Sequence, residues 1–167
     1  TREEDYVVDV FTASTHDYIL FFTDTGKVYR KKGYQIPVSG KAAKGTNIVN
    51  LLQVEQGERI QTMIHFREMS GESELYLMKN VRNNGIRAIT LDEGDELVSV
   101  LETDGAREVL IATHQGQAVH FEETAVRSTG RTSMGVRGIR LREGDYVIGA
   151  GVAEEGKQAL SITEKGY

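Results

Sequence analysis

Ile19-Leu-Phe-Phe-Thr-Asp-Thr-Gly-Lys-Val-Tyr29 and Val109-Leu-Ile-Ala-Thr-His-Gln-Gly-Gln-Ala-Val119 are two copies of one phrase. Each opens with a short apolar run, turns at Thr-x-x-Gly and continues into a second run with alternating character. Apolar runs this short, rich in β-branched and aromatic residues and joined by a turn glycine, predict a β-hairpin in which Gly26 and Gly116 supply a positive φ. A third copy starts at Ala159-Leu-Ser-Ile-Thr-Glu-Lys-Gly-Tyr167.

A second element follows each hairpin. It appears as Gly45-Thr-Asn-Ile-Val-Asn-Leu-Leu52, as Gly85-Ile-Arg-Ala-Ile-Thr-Leu-Asp-Glu-Gly-Asp-Glu-Leu97, and as Gly135-Val-Arg-Gly-Ile-Arg-Leu-Arg-Glu-Gly-Asp-Tyr-Val147. Gly26 lies 19 residues before Gly45 and Gly116 lies 19 before Gly135, while Gly94 to Gly144 and Gly116 to Gly166 are both 50. The step from Gly57 to Gly94 is only 37, with no Thr-x-x-Gly hairpin inside it, so a piece of one repeat is expected to be missing around Leu77-Met78-Lys79. A fixed period with about four strands per unit is the signature of a blade array. The expectation is an all-β chain: one repeat domain over residues 1–167, about three and a half four-stranded blades of roughly 50 residues, and therefore a partial set. Strands are expected at Tyr6–Phe11, Tyr18–Phe22, Arg59–Phe66, Leu97–Leu101, Val109–Ala112 and Tyr146–Ile148.

Composition narrows the function classes. The chain has 167 residues, no cysteine, 39% hydrophobic and 27% charged residues. No apolar run is long enough to cross a bilayer as a helix, and Thr1-Arg-Glu-Glu-Asp is too polar to begin a signal peptide, so a cytoplasmic protein without membrane contact is expected. Cysteine ligands and disulfides are excluded, and His16, His65, His114 and His120 lack the spacing of a metal site.

The formal net charge of −5 argues against a polyanionic partner only until the charges are located. Residues 27–44, 79–87 and 127–142 hold fourteen of the twenty basic residues and none of the 25 acidic ones. All three stretches fall between a hairpin position and the next Gly-led element. Equivalent loops of a radial repeat share one rim, so they are expected to form a discontinuous basic belt on an acidic body. Such a belt suits a bent polyanion: cations displace counterions from phosphates, and small residues such as Gly40, Ala42, Ala43, Gly45, Gly130 and Gly135 let the backbone approach. The leading candidates for phosphate contact are Lys41, Lys44, Arg131, Arg137 and Arg140, followed by Arg30, Lys31, Lys32, Arg82, Arg127 and Arg142.

These same stretches carry a resemblance. Thr15-His-Asp-Tyr-Ile-Leu-Phe-Phe-Thr-Asp-Thr-Gly-Lys-Val-Tyr29, Ala43-Lys-Gly-Thr-Asn-Ile-Val-Asn-Leu-Leu52, Asn84-Gly-Ile-Arg-Ala-Ile-Thr-Leu-Asp-Glu-Gly-Asp-Glu-Leu97 and Gly130-Arg-Thr-Ser-Met-Gly-Val-Arg-Gly-Ile-Arg-Leu141 resemble the C-terminal domain of gyrase A, the DNA-cleaving component of bacterial DNA gyrase. The resemblance implies a β-pinwheel, in which neighbouring blades exchange strands, and double-stranded DNA wrapped on its rim to give the chirality of negative supercoiling. It further implies partners in an A2B2 holoenzyme, the N-terminal domains of gyrase A and gyrase B, with ATP and magnesium used outside this chain and no cofactor within it. The family's box, Gln-Arg-Arg-Gly-Gly-Lys-Gly, is absent; Ser39-Gly-Lys-Ala-Ala-Lys-Gly45 and Gly130-Arg-Thr-Ser-Met-Gly135 resemble degenerate counterparts. The corresponding chain of topoisomerase IV, whose pinwheel is related, is the nearest alternative, and a propeller-type protein-interaction scaffold is the alternative of another class.

Other constellations point to structure rather than chemistry. Glu93 with Asp95, and Glu143 with Asp145, resemble acid–base pairs but sit in turns at equivalent repeat positions. Tyr29 and Tyr34 lie among lysines, where base stacking is conceivable, but packing is the reading their strand context favours. No nucleophile–base set or phosphate-binding glycine loop is present, and a hydrolytic propeller enzyme is disfavoured.

Overall fold

In the computed structural model the described residues are 7, 9–66, 85–130 and 132–159. Among them the architecture is all-β, with short 3-10 turns and no α-helix. The strands are β1 (Tyr18–Thr23), β2 (Lys27–Lys32), β3 (Ile60–Phe66), β4 (Ile86–Arg87), β5 (Glu108–Thr113), β6 (Ala118–Glu122) and β7 (Val147–Ala153). The chain divides into two compact units: Thr1–Leu97 with Gly130–Gly135, and Val98–Thr129 with Val136–Tyr167.

The first unit is an antiparallel sheet in the order β3-β1-β2-β4. Central β1 is apolar on both faces, which is why it reads as the continuous run Ile19-Leu-Phe-Phe22 instead of alternating. Ile19, Phe21, Tyr29 and Leu52 form its buried core, with Phe11, Ile36, Ile48, Leu51, Val54, Ile60 and Met63 packed against them. The hairpin closes as the Thr-x-x-Gly spacing requires: the Gly26 amide donates to the Thr23 carbonyl at 3.0 Å, and Gly26 has φ +76°.

Strand β4 has a different origin from its neighbours. It belongs to the Gly85-led element, one repeat downstream, yet it pairs with β2 through Lys27↔Arg87 and Val28↔Ile86. The blade is completed by a borrowed strand. Gly85 makes this possible, because its φ is +70° and a Cβ there would lie 2.8 Å from the Tyr29 ring.

The second unit repeats the scheme with β6-β5-β7. The registers coincide after a shift of the hairpin: Leu20↔Arg30 corresponds to Leu110↔His120, and Tyr18↔Lys32 to Glu108↔Glu122. Its hairpin also closes by the Gly116 amide donating to the Thr113 carbonyl at 3.0 Å. Small residues take the place of large ones here, notably Ala112, Gly149 and Gly151. Accordingly, every fully buried apolar side chain among the described residues lies in the first unit.

A carboxylate clasps each hairpin turn. In the first unit Glu58 follows a turn closed by its own amide on the Glu55 carbonyl, 3.1 Å. Its Oε1 accepts from the hydroxyls of Thr23 at 2.7 Å and Thr25 at 2.9 Å. Its Oε2 accepts from the Tyr29 hydroxyl and the Glu55 amide, both at 2.8 Å. Burial pushes the Glu58 carboxyl up, but these four donors outweigh it and hold it below its ordinary range. Asp145 takes the equivalent place in the second unit, accepting from the amides of Gln115 at 2.9 Å and Tyr146 at 3.0 Å. Being one methylene shorter, and with Val119 in place of Tyr29, it leaves its buried Oδ2 without a hydrogen-bond partner. Asp145 therefore serves a turn, as its spacing predicted.

Two expected strands differ. Residues 97–101, and the described residues among 6–11, carry no ladder. At 97–101 the Ala150 amide of β7 donates to the Ser99 hydroxyl at 3.3 Å, so a side chain takes the place of a strand carbonyl. The join expected near Leu77-Met78-Lys79, and the third hairpin beyond Ala159, lie outside the described residues.

Candidate nucleic-acid interface

The segment Gly40-Lys-Ala-Ala-Lys-Gly45 is an exposed turn. The Ala43 amide donates to the Gly40 carbonyl at 3.0 Å, and Gly45 ends it with φ +77°. Nothing lies within 4 Å of where a Cβ would sit on Gly40 or Gly45. Lys41 and Lys44 project from it, exposed to solvent.

The same turn recurs at Gly130–Gly135, which also belongs to the first unit. The Ser133 amide donates to the Gly130 carbonyl at 2.9 Å, the Gly135 amide to the Ser133 hydroxyl at 3.1 Å, and Gly135 has φ +80°. Met134 stands where the first turn has Lys44, and is 61% exposed. Arg131, the counterpart of Lys41, lies outside the described residues, as do Lys79 and Arg82.

Arg30, Lys31 and Lys32 are not in a loop. They form the end of β2 and are half-buried, which corrects the view of residues 27–44 as a single basic loop. Apolar pairing on β1 extends the hairpin further than the run of charges implied. Lys32 Nζ lies 3.2 Å from the Tyr18 ring centroid and donates to the His16 carbonyl at 2.8 Å; the Arg30 guanidinium lies 5.5 Å from the same ring. Tyr18 was not legible as a cation holder in the sequence, because its partners sit across a strand rather than beside it. In the second unit these three positions are His120, Phe121 and Glu122, and the corresponding blade end is acidic. A shallow cavity of about 470 Å³ there is lined by Arg107, Glu108, Glu122, Glu154 and Glu155, among others.

Of the basic stretch 127–142, the second unit holds Arg127, Arg137, Arg140 and Arg142. Arg127, Arg137 and Arg140 are exposed. Arg142 is exposed but engaged: the side-chain oxygen of Gln117, turned toward it, accepts from Nε at 3.1 Å and Nη2 at 3.3 Å.

At the hairpin turns the charge reverses. Arg59 there pairs with Asp24 at 3.0 Å and with Glu96 at 3.4 Å, while Lys27 pairs with Glu55. Burial raises the Asp24 carboxyl, but hydrogen bonds from the Arg59 backbone and guanidinium outweigh it and leave the carboxyl lowered. Tyr29 is a core residue, 1% exposed, and Tyr34 is 63% exposed. Burial and the Glu58 carboxylate push the Tyr29 phenol far up. Among the described residues no group of three or more His, Asp or Glu could hold a metal ion, and no helix is long and apolar enough to cross a membrane.

Known proteins resemble this chain in sequence and fold. Residues 17–65, 79–104 and 107–154 match the family model described as the DNA gyrase C-terminal domain, beta-propeller. The chain belongs to that family. The first and last matches begin at or next to the hairpin strands β1 and β5 and end at or just beyond β3 and β7, so the family's unit is the repeat described above. The DNA gyrase A protein of Clostridium acetobutylicum is 45% identical over 152 residues, covering 83% of this chain and 18% of that protein. The DNA gyrase A protein of Staphylococcus epidermidis is 39% identical over 184 aligned positions, covering 100% of this chain and 21% of its own length. This member of the gyrase C-terminal family therefore spans about a fifth of the curated relatives it matches. Among solved structures, a crystal structure of the C-terminal domain of DNA topoisomerase IV matches with a TM-score of 0.75 and 27% identity, over 84% of this chain and 48% of that one.

Proposed function

We propose that this chain is a non-catalytic module that binds and bends double-stranded DNA within a type II topoisomerase, as part of gyrase A, to give the chirality of negative supercoiling. The observation that carries the proposal is the repeated glycine-bounded turn, Gly40–Gly45 and Gly130–Gly135, in a chain whose family is that of the gyrase C-terminal domain. Lys41, Lys44, Arg131, Arg137 and Arg140 are the leading phosphate contacts. Arg30, Lys31, Lys32, Arg82, Arg127 and Arg142 support them, with Arg30, Lys32 and Arg142 partly committed to protein partners. The blades belong to one repeat domain, and the protein works in the cytoplasm beside the N-terminal domains of gyrase A and gyrase B, as A2B2. ATP and magnesium serve those partners, while this chain contributes surface charge and shape. A chain of net charge −5 can do this because its cations are gathered on a few segments.

The test is duplex DNA binding as a function of salt. Neutralising about six phosphates should give a log–log slope near −5. Affinity that ignores salt would rule out the proposal.

A further inference from the structure

Thr90 makes two hydrogen bonds that no reading of the basic residues accounts for. Its amide donates to the Ser133 carbonyl at 3.3 Å, and its hydroxyl donates to the Thr132 carbonyl at 3.3 Å. Two consecutive carbonyls of the Gly130–Gly135 turn are thus drawn to one residue, which sits in the Gly85-led element of the same unit.

This fixes the direction of the turn's donors. In a trans peptide the carbonyl and the N–H of one plane point opposite ways. The Ser133 carbonyl points at Thr90, so the Met134 N–H points away from it. The Ser133 N–H closes the turn on Gly130, and the Gly135 N–H is taken by the Ser133 hydroxyl. The Met134 amide makes no hydrogen bond among the described residues, on an exposed position next to a left-handed glycine. An amide that points away from Thr90 on an exposed residue, without a partner among the described residues, is a donor suited to a phosphate oxygen.

We infer that Thr90 is a positioning residue for DNA binding: its hydroxyl, held on the Thr132 carbonyl, keeps its amide on the Ser133 carbonyl, and the Gly130–Gly135 turn so anchored presents the Met134 amide to a backbone phosphate. The inference rests on the DNA-binding reading above. The contact would add no counterion release of its own, because the amide is neutral, so Thr90 should act on affinity and leave the salt slope alone. This separates it from the lysines and arginines.

The experiment measures duplex binding by the full chain across a salt series, for Thr90→Val, Thr90→Ala and Thr90→Ser. Val keeps the shape without the hydroxyl, Ala removes it without adding bulk, and Ser keeps it. Val and Ala should weaken binding about three- to tenfold at every salt concentration with an unchanged slope, as expected for one misdirected hydrogen bond. Ser should bind like the parent chain. Circular dichroism identifies which of Val and Ala retains the parent fold, and the comparison uses that variant. Parent-like affinity in the folded hydroxyl-free variant, a Ser variant as weak as it, or a changed slope would overturn the assignment. Failure of the parent chain to bind in a salt-dependent way would instead overturn the DNA reading beneath it.

Discussion

The Tyr29 hydroxyl donates to Glu58 Oε2 at 2.8 Å, joining the core of β2 to the turn that launches β3. Glu58 gathers three hydroxyls and one amide onto a single carboxylate, so its loss leaves several donors without a charged acceptor. Glu58→Gln should cost about 2 kcal/mol of stability and Tyr29→Phe about 1 kcal/mol, read from urea unfolding followed by circular dichroism. Equal costs would mean that the tyrosine bond carries the whole effect.

The same carboxylate predicts an acid limb. Glu58 and Asp24 are both held below their unfolded values, 4.5 and 3.8. Each therefore contributes stability that is complete above its unfolded value and is lost as pH falls through its lower folded value. Unfolding midpoints should drop as the solution is acidified below about pH 4.5, and Glu58→Gln should flatten that decline. A midpoint that rises on acidification would contradict the sign.

Gly85 and Gly45 offer a matched comparison. Both have positive φ, but only at Gly85 would a Cβ meet the Tyr29 ring. Gly45→Ala should cost about 1 kcal/mol through the backbone alone, and Gly85→Ala at least about 2 kcal/mol because β4 or Tyr29 must move as well. Thermal unfolding of the two variants checks the order.

The second unit can be given the tyrosine–carboxylate bond that its clasp lacks. Neither Asp145→Glu nor Val119→Tyr alone completes a hydroxyl–carboxylate pair, so only the double variant should raise the unfolding midpoint. The readout is the coupling in a double-mutant cycle, and additive single effects would show that no such bond had formed.

Among the cations, Lys41→Ala and Lys44→Ala should each reduce the magnitude of the salt slope by about 1, measured by anisotropy of a labelled duplex. Lys32→Ala should change it less, because Lys32 is already held by Tyr18 and the His16 carbonyl.

How much of this was legible in the sequence depended on distance along the chain. The hairpins were readable because Thr23 to Gly26 and Thr113 to Gly116 close on themselves, and a glycine at the end of such a turn has one obvious use. The turns around Lys41 and Arg131 were readable as basic, small-residue segments for the same local reason. Strand β4 was harder: Ile86-Arg87 looks like the beginning of its own repeat, and nothing local shows that it pairs with Lys27 and Val28. Thr90 carries no charge and no motif, so its bonds to Thr132 and Ser133 emerge only in three dimensions. The basic stretch at 27–44 misled at its first half, where Arg30, Lys31 and Lys32 continue a strand.

The borrowed strand also has a consequence for synthesis. The β1–β2 hairpin is built from adjacent residues and can zip as soon as it leaves the ribosome, but the outer edge of β2 must wait until Ile86 and Arg87 have been made. During that wait the nascent chain displays an open row of amides and carbonyls, ready to accept a Gly-led strand from any neighbouring copy. Arg30, Lys31 and Lys32 lie along that same strand, and their mutual repulsion between copies would discourage such mispairing. The run of charge that ends β2 can thus act as a gatekeeper of folding before the protein meets any partner.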